Sequence, residues 1–429
     1  MTKRGTSARP RQAPSSRELV SVQVPLPLLE RLEGVRQGFF ALCVETGRQV
    51  LEGMMESDRT AECGPKWCRD PARAAVRAGT TPSEITLGGR RIPIRRPRVR
   101  GVADGERALP SFRWAADRDP LDTHTLDAIA LGVSTRGYAR SLEPLPQELA
   151  ERSVSRSATS SRFVALSQRK LRECLARPLS ELDLRVVLID GLHFREHCIL
   201  VALGVSSDGR KHLLGLREGT TENTPVARAL LEDLVERGLP ADRALLWGVD
   251  GAKALRKAVA QVFGPLAVVQ RCQVHKLRNV KAHLPIELQR SVHQAMAQAY
   301  ATPDARLAER QLERLARSLE RKHPGAAGSL REGLAETLTL QRLGVRGALY
   351  LTLRSTNPIE NLNGAVARFT RNVKRWRDGS MILRWVGTAA LEAEKHFRRL
   401  RGYRDMTSLV AALRQHETQI GLDNKEKAA

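Results

Sequence analysis

Three acidic residues stand where they could do chemistry together. Asp190 follows the apolar run "LRVVLI" and precedes Gly191, and Asp250 follows "LLWGV" and precedes Gly251. An acid at the end of a buried strand projects at the sheet's edge, where a site can form. Glu360 lies in "RSTNPIENLN", just past Asn357-Pro358, where a helix would begin. Two strand-end carboxylates and a third on a helix can hold paired Mg²⁺ or Mn²⁺ ions roughly 3.5–4 Å apart. Such a pair lowers the pKa of an attacking water or hydroxyl and stabilises the leaving oxygen of a phosphodiester.

Each acid also has a plainer reading. Asp250 fits an N-cap for a helix beginning at Ala252, and Asp190-Gly191 fits an ordinary turn. Asn357 as N-cap, Pro358 at N1 and Glu360 at N3 fit a capping box. Cys272 and His275, in "CQVH", are half a tetrahedral zinc site, and no nearby Cys or His pair completes it. Cys63 and Cys68 are distant candidates. The other reading has Cys272 and His275 packing and orienting the strand end beside Asp250.

The elements that must position these residues can be read from periodicity. "LRVVLID", "CILVALGVSSDGRKHLLGLREG", "RALLWGVD" and "LAVVQRC" are β-type runs. The first three strands follow one another through short turns and read as an antiparallel meander. "PVARALLEDLVERG" and "GAKALRKAVAQVFG" are helical and alternate with the later strands, which implies parallel additions. That order, in a mixed α+β and α/β chain, is the order of the ribonuclease H fold. From about 280 to 350 the chain is helical.

The remaining charge points to a polyanion. The chain has 429 residues, long enough for roughly two to four domains. Apolar residues make up 41% and aromatics only 4%, so the cores are expected to be Leu, Val, Ile and Ala. A formal charge of +24 opposes compactness by self-repulsion unless a polyanion offsets it. Double-stranded DNA fits, because neutralising its phosphates releases counterions. Six scattered cysteines form no dense disulfide framework, and no run approaches the roughly 18 apolar residues of a membrane span. The expectation is a cytoplasmic, reduced protein without a membrane segment.

Several segments could contact that DNA. Residues 1–18 read as a disordered basic tail and Val20–Met55 as a helix. "EITLGGRRIPIRRPRVRG" reads as a hairpin around Gly88-Gly89, its far strand carrying Arg95, Arg96 and Arg98; the prolines make it an edge or arm. "THTLDAIALGVSTRGYARSL" followed by "ERSVSRSATSSRFVALSQRKL" has a helix-turn-helix layout, with Arg156 and Arg162 near the start of the recognition helix. Beyond Glu360, Arg368, Arg371 and Arg375 fall on one face of a continued helix with Lys374 beside it, while Phe369 and Trp376 share another.

"LIDGLHF", "GVDGAKALRKAV", "QRCQVHKLRNV", "STNPIENLN" and "RNVKRWRDGSMILRWV" resemble the Mutator-type insertion-sequence transposases of bacteria. The likeness covers nearly the whole chain beyond residue 20. It implies a ribonuclease H-like domain, residues 181–284 and 351–402, interrupted by a helical insertion at 285–350. Before it come an N-terminal helix and arginine-rich arm at 19–108 and a helix-turn-helix region at 109–180; a C-terminal helix and tail occupy 403–429. Asp190, Asp250 and Glu360 match the family's catalytic triad, and Cys272 and His275 its Cys-x-x-His signature. The position seven residues past the glutamate, often basic in acid-triad transposases, is Ala367 here, with Arg368 next to it. The resemblance implies metal-dependent cleavage at inverted-repeat ends and strand transfer, by a homodimer or larger assembly whose interface could be the helical insertion. A nuclease of the same fold that does not rejoin DNA, and an inactive DNA-binding descendant, are the alternatives.

Overall fold

The computed structural model describes residues 35–68, 70, 72–87, 90–103, 105–117, 129, 156–221 and 223–428. The basic tail, the Gly88-Gly89 turn and most of the helix-turn-helix region lie outside them. The described chain forms two compact units, the first ending at Ser161 and the second running on from Arg162.

In the first unit, helix α1 (Val35–Cys63) outlasts the apolar pattern that suggested an end near Met55. Spaced side chains carry it on: Arg59 pairs with Glu56, and the Thr60 hydroxyl donates to the Glu56 carbonyl at 2.8 Å. Gly64, at φ +72°, stops it. Strands β1 (Ala75–Leu87), β2 (Arg90–Gly101) and β3 (Gly105–Arg107) form an antiparallel sheet in that order, followed by α2 (Pro110–Asp117). The hairpin register sets Ile85 opposite Ile92. The arm is thus not a sheet edge as the prolines implied, since β2 is the middle strand. The reason is that β3 pairs only along Val99–Gly101, leaving Pro93 and Pro97 without a ladder partner on that side.

The second unit is built on strands β4 (Leu184–Phe194), β5 (His197–Ser206), β6 (Lys211–Gly219), β7 (Leu245–Val249) and β8 (Ala267–Arg271). Their order is β6-β5-β4-β7-β8; β4, β5 and β6 pair antiparallel, while β4–β7 and β7–β8 are parallel. Side-chain alternation makes two apolar faces. Val187, Ile189, Leu245 and Trp247 pack with helices α4 (Thr224–Glu236) and α5 (Lys253–Phe263), which follow α3 (Arg156–Leu175) in the chain. Val186, Leu188, Val201 and Leu246 share the opposite core with Ile359, Leu362, Ile382 and Leu409. Two-residue periodicity therefore decides which side chains face which helix layer.

Helix α6 (Gln273–Ala282) leads from β8 into α7 (Ile286–Ala301), α8 (Ala305–Glu320) and α9 (Pro324–Arg331). These pack around Val280, Met296, Leu312, Ala316 and Leu330. Short helices α10 (Leu334–Thr337), α11 (Thr339–Arg342) and α12 (Gly347–Leu353) return the chain to the sheet. A buried polar network fixes that return. The Gln273 amide donates to the Thr337 carbonyl at 2.9 Å, and the Tyr350 hydroxyl to the Tyr300 carbonyl at 2.6 Å. Buried groups satisfied in this way specify one arrangement, because a shifted one leaves them unpaired. The chain closes with α13 (Asn357–Thr370), α14 (Gly379–Glu394) and α15 (Met406–Ala428).

Candidate active site

Strand register decides where the acids meet. β4 and β7 pair from Val186 opposite Leu246 to Leu188 opposite Gly248. Two residues past Leu188 and Gly248 stand Asp190 and Asp250, on the face of Val186, Leu188 and Leu246. That face is covered by α13, which carries Glu360.

Asp190 does not end its strand. It lies opposite Val201, and β4 continues to Phe194, opposite His197. The turn reading of Asp190-Gly191 is therefore wrong; only β7 stops here, while "GLHF" keeps its ladder to β5. Asp250 accepts from the Ala252 N–H through Oδ1 at 2.8 Å, and α5 begins only at Lys253, so Asp250 is not that helix's N-cap. Gly251 has φ +115°, and an added Cβ would lie 2.4 Å from the Arg271 Nε, so both conformation and space demand glycine.

The capping-box reading of Glu360 is not realised. The N-cap is Thr356, without a side-chain capping bond, and Glu360 is the fourth residue of α13. Its Oε1 accepts from the Thr356 hydroxyl at 2.6 Å and lies 3.8 Å from His275 Nδ1. Cys272, His275 and Glu360 place their ligand atoms within 4.8 Å of one another. The two residues that lacked companions in the sequence find Glu360 itself.

Burial, then the neighbouring Asp250 charge, pushes Asp190 up to about 6, with Glu360 adding to the rise; the Gly191 N–H and His275 oppose it. His275 is held above its usual range, first by its hydrogen bond with Cys272 and further by Asp250 and Glu360. Burial would raise the Cys272 thiol, but hydrogen bonds with His275 and Thr356 outweigh it and hold it below. Mutually repelling carboxylates of this kind favour a divalent cation.

A second observation fits the same group. The Asn363 Nδ2 donates to Asp190 Oδ2 at 2.7 Å, while its own Oδ1 is buried without a hydrogen-bond partner among the described residues. An orphaned amide oxygen beside carboxylates suits a hydrated hard cation, and oxygen donors suit Mg²⁺ or Mn²⁺. Asn363 and Thr356 were not singled out in the sequence. Their signal is spacing: three residues after and four before Glu360 puts them on its helical face.

The basic residues are more scattered. Arg96 and Arg98 both pair with Glu106, at 3.1 and 2.9 Å, and Arg95 reaches the Thr80 hydroxyl at 3.2 Å. Arg156 is exposed at the start of α3; Arg162 is half-buried, and α3 gives Phe163, Leu171 and Cys174 to the interior, with Phe163 4.7 Å from Trp385. Arg368 is exposed in the last turn of α13. The single helical stripe from Arg368 to Arg375 is not formed, because α13 ends at Thr370. Arg371, Lys374 and Arg375 are exposed on the connection to Asp378, which caps α14 through the Met381 N–H at 2.8 Å. Trp376 has left helical phase to pack edge-on against Phe194 at 5.1 Å.

Comparison with known proteins now decides the family. The family described as "Transposase, Mutator family" matches residues 33–399. The chain belongs to this family. This transposase is 32% identical over 249 residues to the transposase for insertion sequence element IS6120 of Mycolicibacterium smegmatis, covering 57% of the chain and 75% of that relative. It is 27% identical over 355 residues to the transposase for IS256 in transposon Tn4001 of Staphylococcus aureus, covering 80% and 87%. The transposase for ISRM5 of Rhizobium meliloti is 25% identical over 374 residues, 85% of this chain and 91% of the relative. Among the described residues, no helix of this transposase is long and apolar enough to cross a membrane.

Proposed function

We propose that this Mutator-family transposase binds the inverted-repeat ends of an insertion sequence and cleaves them at Asp190, Asp250 and Glu360. The same site then joins the freed 3′-hydroxyl to target DNA. Asp190 and Asp250, adjacent on one sheet face beneath the helix of Glu360, are the observation that carries this reading. The sheet order, three antiparallel strands extended by two parallel ones, fits a ribonuclease H-like reading of the domain and supports the proposal.

The three carboxylates would hold Mg²⁺ or Mn²⁺, which supplies an activated water or hydroxyl and stabilises the leaving oxygen. Asn363 orients Asp190 through its amide N–H. Gly251 lets the chain turn beneath Arg271, directly after Asp250. Arg368, Arg371, Lys374 and Arg375 follow the glutamate in sequence and are free to meet DNA phosphates. Synapsis of two ends calls for a homodimer or a larger assembly.

Replacing those four basic residues with alanine should weaken DNA binding alike for all sequences. The slope of log K against log salt should fall by roughly 0.9 for each phosphate no longer neutralised. An unchanged slope would remove them from the interface.

The function is tested with Mg²⁺ and a plasmid carrying the DNA that flanks the gene. Cut ends joined to new DNA are expected. Cut but unjoined ends would make the protein a nuclease, and binding alone would make it an inactive relative.

A further inference from the structure

We propose that Thr356 is the positioning residue that aims the Glu360 carboxylate, and that Cys272 and His275 act through its hydroxyl rather than as metal ligands of their own. The proposal rests on Glu360 being a ligand of the catalytic metal.

Thr356 precedes α13 and is 1% exposed, so its hydroxyl needs partners. A threonine there would ordinarily cap the helix, yet its side chain makes no capping bond. The hydroxyl instead lies 2.6 Å from Glu360 Oε1, 3.4 Å from His275 Nδ1 and 3.5 Å from Cys272 Sγ. It has one proton and two lone pairs, whereas an ionised carboxylate only accepts. The 2.6 Å contact is the main recipient of that proton, the Cys272 sulfur at 3.5 Å shares it as a weaker acceptor, and a lone pair of the Thr356 oxygen is left for the imidazole.

The backbone gives this hub a fixed base. The Cys272 N–H donates to the Val249 carbonyl at 2.8 Å, one residue before Asp250. The Gln273 N–H donates to the Arg354 carbonyl at 2.9 Å, two residues before Thr356. The turn carrying Cys272 and His275 is thus tied both to the strand of Asp250 and to the chain entering α13. A glutamate in the first turn of a helix has several rotamers open to it. The Thr356 hydroxyl selects the one that faces Asp190 and Asp250, and so carries the register of the sheet to the helix.

Thr356→Val keeps the shape and removes the hydroxyl; Thr356→Ser keeps the hydroxyl. Mn²⁺ binding would be followed by the EPR signal of the free ion without DNA, alongside the metal concentration for half-maximal cleavage. Thr356→Val should raise both roughly tenfold or more, as loss of a ligand's hydrogen-bond partner does. DNA affinity should stay at the wild-type level, and Thr356→Ser should match wild type in every measurement. Should the valine variant not fold, Thr356→Ala set against Thr356→Ser asks the same question. Unaltered Mn²⁺ binding in Thr356→Val, or equal defects in the serine and valine variants, would overturn the proposal. So would a Cd²⁺–thiolate charge-transfer band abolished by Cys272→Ala, which would make Cys272 a ligand itself. Glu360→Gln separates the two levels. If it binds Mn²⁺ and cleaves like wild type, the underlying reading of Glu360 fails. If it does neither while Thr356→Val is unaffected, only the role of Thr356 fails.

Discussion

Asp190→Asn should abolish DNA cleavage and at the same time make the metal-free protein more stable. On the proposed function the variant loses a metal ligand, which would remove several kcal/mol of charge stabilisation, roughly a thousandfold or more in rate. The gain in stability follows from the site's own repulsion. Asp190 ionises at about 6 in the folded chain because of burial and then Asp250, against an ordinary 3.8. Below the lower value both states hold the proton and nothing is lost. As pH rises from there to about 6, the unfolded chain releases its proton first, and wild type loses stability. Above pH 6 the full cost remains, at most about 3 kcal/mol. The asparagine keeps an oxygen for the Asn363 amide and carries no charge. Urea unfolding in a chelator should therefore find the two proteins alike near pH 3.5 and the variant more stable at pH 7.5. Added Mn²⁺ should stabilise wild type alone. A variant less stable than wild type at pH 7.5 would contradict the picture of mutually repelling acids.

Glu360→Gln should remove cleavage to a similar extent for a different reason and with little effect on folding. The glutamine can still accept the Thr356 hydroxyl; the folding terms at stake are the charge at the start of α13, about 0.3–1 kcal/mol, and the opposed interactions of that charge with His275 and Asp190. Glu360→Asp retains the charge but draws the carboxylate back by a methylene; misplacement on the scale of 1 Å costs roughly a hundredfold. Cleavage of end DNA should therefore rank wild type well above aspartate and aspartate above glutamine, with DNA binding equal in all three. Full activity in Glu360→Gln would return Glu360 to a structural role at the helix start.

Much of this arrangement could be read from the chain because its apolar periodicity is clean. Ile85, Leu87, Ile92 and Ile94 alternate on either side of Gly88-Gly89, and the register that sets Ile85 opposite Ile92 puts all four in one core. The runs ending at Asp190 and Asp250 likewise mark where the buried part of each strand stops. Less visible is anything held by backbone pairing alone. "GLHF" looks like the exit from a strand because it opens on a glycine that follows an acid, yet its peptide groups still bond to β5, and Leu192 and Phe194 pack against the core. The arginines past Thr370 continue a helical spacing that the backbone abandons so that Trp376 can reach Phe194. The meeting of Cys272 and His275 with Glu360 joins residues more than eighty positions apart, and no local pattern encodes it. The helix-turn-helix reading lies mostly outside the described residues.

The most direct test replaces the catalytic ion with Fe²⁺ and adds ascorbate, so that radicals formed at the bound iron cut the polypeptide beside it. Mapping the fragments by mass should find cuts near Asp190, Asp250 and Glu360, suppressed by excess Mg²⁺ and absent in Asp190→Asn. Cuts confined to one segment, or unaffected by loss of Asp190, would mean that the three carboxylates do not share a metal.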